Sequence, residues 1–459
     1  MSINHAIVMG ASISGLVAAR VLSRHFDRVS VIDRDVLPAA RENRRGVPQG
    51  RHGHGLLASG FNALKQLFPD LEQDLVAAGA VPGDVIGNVR WFQHGYYKAK
   101  FESGLNGILM SRPLLEGTIR DAVRNLPNVT LIDGTHIVGL ASDAKRRSVT
   151  GVRIQRDDRP VVIDAALVID ATGRASQSPQ WLQELGYESP AVETVEIGLG
   201  YTTRTFKRRS RDFDGDVGAI VGPQPPALKR VGFALAMENN RWMVTLGGWL
   251  GEHAPTDARG FIQFAESLAA PDIYDVIKDA VPLTEAVTYA FPANLRRRYD
   301  QLTRFPAGYL VMGDAVCSFN PFYGQGMSVA ALEGLALERT LAQRPALDQL
   351  WRPFMRTSGQ IVETPWMIAA GSDFAFPGVV GVKPRGTDLV NWYLDRVHRA
   401  ASTDRVLCRT FFDVANLLKP STTLFHPGVV ARVIKGCLSS SPSSSQHTPG
   451  RPARHERVA

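Results

Sequence analysis

Apolar positions along the chain follow three rhythms. Ala6-Ile7-Val8-Met9 and Val29-Ser30-Val31-Ile32 are short, nearly unbroken apolar runs. Between them Leu16, Val17, Ala19, Val21 and Leu22 supply an apolar helix body. Runs without alternation suit strands covered on both faces, so residues 5–35 predict strand, glycine turn, helix, strand: one βαβ unit. Residues 58–80 read as helical. Leu114, Leu115, Ile119 and Val123 recur at helical spacing within Ser111 to Arg124. Val161 to Asp170 reads as a further apolar strand.

The middle of the chain changes period. Residues 195–206 (VEIGLGYTTRTF) alternate, and Phe233 to Trp249 reads as two strands around an Asn239-Asn240 turn. The aromatic stretch within 81–110 is also strand-like. These features predict an antiparallel sheet inserted between two parts of the first domain. The buried-strand pattern returns at Tyr309-Leu310-Val311-Met312. Residues 346–437 read as mainly helical, and 438–459 as a disordered Ser/Pro/Arg tail. The expected fold class is α/β. A Rossmann-like nucleotide-binding domain (1–80, 101–175 and 290–345) carries an inserted antiparallel-sheet substrate domain (81–100 and 176–289) and a helical C-terminal region (346–437).

Composition changes this picture little. The 459 residues are 44% hydrophobic, enough for a large core, and the net charge of +8 comes from 52 basic and 44 acidic side chains. The densest basic runs, Arg204 to Arg211 and Arg296-Arg297-Arg298, are accompanied by no nucleic-acid motif, so no nucleic-acid partner is expected. Cys317, Cys408 and Cys437 are too few and too scattered for a disulfide framework or a metal site, and a reducing cytoplasm is the expected compartment. With no 18-residue apolar run, neither a signal peptide nor a membrane span is expected. Val414 to Ile434 is read as an amphipathic cap over a pocket rather than as a membrane contact.

The chemistry concentrates at two strand ends. The first strand leads into Gly10-Ala11-Ser12-Ile13-Ser14-Gly15, a dinucleotide turn with Ser12 in place of the middle glycine. Asp33, followed by Arg34, lies 18 residues beyond Gly15, where a carboxylate takes a ribose hydroxyl. An acid there favours FAD or NAD over NADP. The second strand end, Gly313-Asp314, leads through Pro321 and Gly324-Gln325-Gly326-Met327 into a helix. An extended cofactor needs such a second seat, which selects FAD. Asp314 would accept from a ribityl hydroxyl. Gly313, Gly324 and Gly326 would let the backbone pass close to the cofactor. The helix N-terminus would face the flavin edge that carries charge when reduced.

Together these motifs resemble the FAD-dependent class A monooxygenases, a family that includes aromatic hydroxylases and squalene epoxidase. The likeness covers roughly residues 5–345. It is nearest to the flavin-dependent epoxidases of polyether antibiotic biosynthesis, through Arg44 to His54, Ser111 to Arg120, Val168 to Arg174 and Gly313 to Met327. The resemblance implies that Arg45, Gln49 and Arg112 lie along the FAD, Arg112 near the pyrophosphate, and that Pro321 to Met327 back the isoalloxazine. It further implies transfer of one oxygen from a flavin C4a-hydroperoxide to a small apolar natural-product intermediate, with O2 consumed and an alkene epoxidised. Aromatic-ring hydroxylation and a flavin-dependent prenyl reductase or dehydrogenase stand as alternatives, and a non-catalytic nucleotide-binding member as a third. Thr172-Gly173 stands where aromatic hydroxylases carry Asp-Gly, so NAD(P)H is expected either to reduce the flavin directly or to act through a flavin reductase. No catalytic side chain is assigned. His52 and His54 are expected to make satisfied polar contacts.

Overall fold

The computed structural model describes residues 4–156 and 159–439. The expected tail thus falls, from residue 440 on, outside the described residues. The first strand, His5–Met9, is central in a five-stranded parallel sheet ordered Tyr309–Val311, Leu167–Asp170, His5–Met9, Arg28–Ile32, Val129–Ile132. Its register pairs Met9 with both Asp170 and Ile32, and Asp170 with Val311. Four strands therefore end on one line, and the turns that follow them share one edge. The helix Ile13–Leu22 covers the sheet with an almost wholly buried surface. The main core fills both sides of this sheet, as the unbroken apolar runs require.

One expected element divides in two. The run Val161 to Asp170 is not a single strand. Arg159–Asp164 closes a three-stranded antiparallel sheet, the chain turns at Ala165-Ala166, and Leu167–Asp170 enters the parallel sheet. The exposure of Val161 and Val162, beside a fully buried Leu167 to Asp170, marks the change. Apolar content alone does not report which sheet a strand joins.

The alternating middle forms a large sheet of nine strands. Its centre is the long strand Val192–Lys207, paired antiparallel with Val287–Arg297 on one side and Arg241–Gly248 on the other. Arg230–Met237 and Arg241–Gly248 form the expected hairpin. Asn239 and Asn240 both take positive φ, 62° and 52°, a conformation Asn tolerates better than most residues. Val89–Gln93 joins the far side through Gly218–Val221. The helices Ala258–Glu266 and Asp272–Ile277 cover one face around Trp242, Phe261 and Ile273. Helices Leu347–Asp373, Thr387–Ala400, Arg405–Ala415 and Pro427–Ser439 form the C-terminal region. Among the described residues no helix is long and apolar enough to cross a membrane.

Candidate functional site

The shared edge of the parallel sheet builds the site. The helix Ile13–Leu22 follows the first strand after only three residues, and a Cβ at Gly15 would lie 1.8 Å from the Gly10 carbonyl oxygen. Only glycine allows that approach. Asp33 is buried and accepts hydrogen bonds from the Ala11 N–H (2.6 Å) and the Asp35 N–H (2.9 Å), which holds its carboxylate against the turn.

Behind the turn lies a buried ion network. Arg112 opens the helix Arg112–Arg124, whose first turn is capped by Ser111. Its guanidinium donates to Ser12 Oγ (2.8 Å) and pairs with Glu116 (3.0 Å). Arg44 reaches the same Glu116 (2.8 Å), Asp35 (2.9 Å) and Asp33 (3.3 Å). Burial would lower the basicity of Arg44, but Glu116 and Asp33 outweigh it and raise it. Burial likewise opposes ionisation of Glu116, while Arg112 and Arg44 hold it below the usual carboxylate range. Of the two adjacent arginines, Arg44 turns inward, whereas Arg45 is exposed; Arg34 is exposed and Gln49 half-buried. Arg44 opens the Arg44 to His54 motif, but neither it nor Glu116 is among the cofactor-lining residues that the resemblance implies. Glu116 carried a signal, since it falls on the buried side of an apolar helix.

The second strand end meets the first here. Gly313 has φ +65°, and a Cβ on it would lie 2.6 Å from Ser14 Oγ. The two turns, about 300 residues apart in sequence, are thus in contact. Asp314 follows. Burial pushes its carboxyl up, against the pull of Arg112 and Arg174. Arg174 stacks on Phe291 (4.9 Å) and donates to Ser318 Oγ (3.2 Å). The helix Gly326–Ala342 begins beside Asp314, without a side-chain cap on its first amides. Before it, Gly324 packs on Gly55, which brings the 52–57 segment against the Pro321–Met327 loop. Met327 packs its side chain into the main core and leaves only backbone at the loop.

A second buried acid, Glu333, ties this helix to the turn. Its carboxylate accepts from the Gly313 N–H (2.7 Å) and the Ser358 hydroxyl (2.5 Å). Burial pushes it up from 4.5 to about 7. The folded state therefore favours the protonated form. Glu333 contributes stability that is full below about pH 4.5 and lost as pH rises through 7. The shift corresponds to about 3 kcal/mol. Glu333→Gln is expected to flatten the fall in stability between pH 5 and 8, as measured by denaturant unfolding across that range. An unchanged slope would place the titration elsewhere.

Next to this seat opens a cavity of about 1610 Å³. Gly53, Gly55 and Pro321 to Gln325 form part of its wall. The large sheet contributes Ile220, Phe233 and Leu235, and the C-terminal helices contribute Trp366 and Phe411. His52 sits behind the wall. Its Nδ1 bonds Thr203 Oγ1 (2.8 Å), which meets Thr245 Oγ1 (2.7 Å). Burial, helped by Arg51, lowers it to about 4, so it is neutral. His54 Nδ1 donates to the His52 carbonyl (2.9 Å). His54 thus makes a polar contact, whereas His52 Nε2, contrary to the expected satisfied contacts, has no partner among the described residues. At the position of the missing Asp-Gly pair, Thr172 donates to Asp170 through its N–H (2.8 Å) and its hydroxyl (2.6 Å). Ser176 and Ser178 take the other oxygen of that carboxylate.

The residues of this edge fit an FAD. Ser14 Oγ and both amide atoms of Gln325 are buried without partners among the described residues, one at each seat. The Gly10 to Gly15 turn, Asp33 and Asp314 all lie at the shared edge of the parallel sheet. No group of side chains able to hold a metal occurs among the described residues.

No family model matches the chain. It is 33% identical to Protein Rv3254 of Mycobacterium tuberculosis (strain ATCC 25618 / H37Rv) over 456 residues, covering 94% of this chain and 93% of that protein. It is 23% identical to squalene epoxidase 1 of Arabidopsis thaliana over 346 residues, 74% of this chain and 60% of that one. Among solved structures it is similar to PqsL, a probable FAD-dependent monooxygenase from Pseudomonas aeruginosa. The TM-score is 0.60 at 19% identity, over 80% of this chain and 96% of that one. The chain belongs to one family with Protein Rv3254 and shares the fold of the FAD-dependent monooxygenases.

Proposed function

We propose that the protein is an FAD-dependent monooxygenase that transfers one atom of O2 to a largely apolar natural-product intermediate, most characteristically by epoxidation of an alkene. The observation that carries this reading is the cavity, whose apolar wall includes the loop Pro321 to Gln325 of the flavin seat. Gly10 to Gly15 and Asp33 would hold the adenosine end, Arg112 the pyrophosphate and Asp314 the ribityl chain, with Gln325 and the amides of Gly326 and Met327 at the isoalloxazine. When bound and reduced, the flavin supplies O2 activation and an electrophilic oxygen atom.

The chain's own part is to place and to exclude. The apolar wall from Ile220, Phe233, Leu235 and Trp366 holds the substrate against the loop and keeps water away. Epoxidation needs no base to deprotonate a phenol, and His52, lowered to about 4, would be only a weak one. The distant likeness to squalene epoxidase 1 supports the same reaction class. Reduced nicotinamide is the proposed electron source, acting directly or through a flavin reductase. Bleaching of the flavin on anaerobic addition of NADPH alone would identify the direct route.

The test is turnover under isotopically labelled O2 with NADPH, a flavin reductase and linear terpenoid alkenes. The expected product carries one labelled oxygen atom. A product that has gained or lost only hydrogen would replace this reading with a reductase or dehydrogenase.

A further inference from the structure

Among the polar residues that line the largely apolar cavity, Gln93, His94 and His398 come together in one corner. Gln93 ends the strand Val89–Gln93, and His94 follows with φ +53°, a left-handed conformation that costs energy for a residue with a Cβ. That turn lays the His94 ring on His398, centroids 4.1 Å apart and planes within 13°. The buried amine of Lys98, whose pKa burial lowers to about 7, donates to the carbonyls of Gln93 (3.4 Å) and His398 (3.0 Å), so one side chain pins both backbones. His94 Nδ1 lies 3.2 Å from Asp395 Oδ1, to which it can donate. These contacts use the backbone and His94. They leave His398 Nδ1 and Gln93 Oε1 buried and without partners among the described residues. His398 is only 8% exposed. Buried unpartnered polar atoms are costly, and two of them beside an apolar chamber point to a ligand.

We propose that Gln93 and His398 form a polar subsite that holds a hydroxyl group of an otherwise apolar substrate while its alkene lies at the flavin loop. This rests on the reading of the cavity as the substrate chamber. A hydroxyl suits the pair because it is both donor and acceptor. Its proton goes to Gln93 Oε1 and its oxygen takes a proton from the His398 imidazole. Burial, with His94 and Lys98 alongside, keeps His398 far below its ordinary basicity and therefore neutral. A carboxylate could not donate to Gln93 Oε1, and an ammonium could not accept from the His398 imidazole. The substrate class is thus an unsaturated, terpenoid- or polyene-like alcohol, with the hydroxyl remote from the oxygenated bond.

The probes are three molecules with one matched chain: farnesol, farnesoic acid and the hydrocarbon farnesene. Binding to the FAD-loaded protein is read from tryptophan fluorescence, since Trp91 and Trp366 line the cavity. Farnesol is expected to bind about tenfold more tightly than farnesene, as befits one or two satisfied hydrogen bonds. Gln93→Leu with His398→Phe should abolish that preference and leave farnesene affinity unchanged. Melting temperature and flavin content establish that the variants are folded, and each single variant serves if the pair is not. Equal affinities, a preference that survives substitution, or tightest binding of the acid would overturn the subsite. A protein that prefers the alcohol but adds no oxygen to any alkene would keep the subsite and lose the monooxygenase reading.

Discussion

Asp314→Ala is expected to purify largely free of flavin and to rebind FAD about 30- to 100-fold more weakly than the parent, by about 2–3 kcal/mol. The carboxyl stands immediately after the strand Tyr309–Val311, between the guanidinium groups of Arg112 and Arg174 and the uncapped start of the helix Gly326–Ala342. It has no packing role that an alanine would spoil. Its value lies in accepting a hydrogen bond from a ligand hydroxyl, and a bond to a charged acceptor is about twice as strong as a neutral one. Removing it also relieves a buried acid whose burial opposes ionisation, so the ligand-free variant should melt no lower than the parent. Asp314→Asn, which keeps one acceptor, should fall between the two. Absorbance of the purified proteins and a flavin titration decide the matter. Parent-like affinity in Asp314→Ala would move the flavin seat away from this turn.

Asp373→Asn is expected to lower stability by about 3–5 kcal/mol and to loosen the flavin loop with it. Asp373 ends the helix Leu347–Asp373, is fully buried, and accepts from Trp249 Nε1 (2.8 Å), Asn294 Nδ2 (2.7 Å), Asn320 Nδ2 (2.9 Å) and the Tyr323 hydroxyl (3.3 Å). Those four donors come from the residue just after the strand Arg241–Gly248, from the strand Val287–Arg297 and from the loop that precedes Gly324. One carboxylate therefore joins the C-terminal helices, the large antiparallel sheet and the loop of the candidate flavin seat. Burial outweighs the four donors and pushes its pKa up to about 6, so above that pH it is an acceptor with no proton to give. An amide in its place turns an NH2 toward groups that are themselves donors. Because the folded value is raised, Asp373 adds to the loss of stability with rising pH, over the range from about 4 to 6, in the same direction as Glu333. Thermal unfolding with and without FAD should show the variant losing part of its flavin-dependent stabilisation. Parent-like unfolding in both conditions would mean that the cluster is not what holds the loop.

Both residues illustrate how far sequence reading reached. Asp314 was legible because a buried strand, a Gly-Asp step and a glycine-flanked helix start are local features. Local spacing and the limited conformations of the backbone express them whatever the rest of the chain does. The same holds for Gly10, Gly15 and Asp33 and for the Asn239-Asn240 hairpin, whereas Arg112 is pointed to only by the family resemblance. Asp373 gave no signal. It is one acid near the end of a long helix, and its importance comes from Trp249, Asn294 and Asn320, which are distant in sequence. Glu333 was intermediate: an acid on the buried stripe between Ala330 and Leu337 is anomalous on its face, yet its partners, Gly313 and Ser358, emerge only in three dimensions.

The sequence by itself determined the parallel nucleotide-binding sheet, the inserted antiparallel sheet, the helical C-terminal region and the two turns of the candidate cofactor seat, because each is written in periodicity or in glycine placement over a dozen residues or fewer. Only the tertiary structure decided that Arg44 rather than Arg45 turns inward, and that Val161 to Asp170 divides between two sheets. It alone brought Ser14 against Gly313 and gathered Gln93, His94 and His398 into one corner of the cavity. Those outcomes depend on which surfaces pack together, and hydrophobic pattern specifies that a side chain is buried without specifying against what.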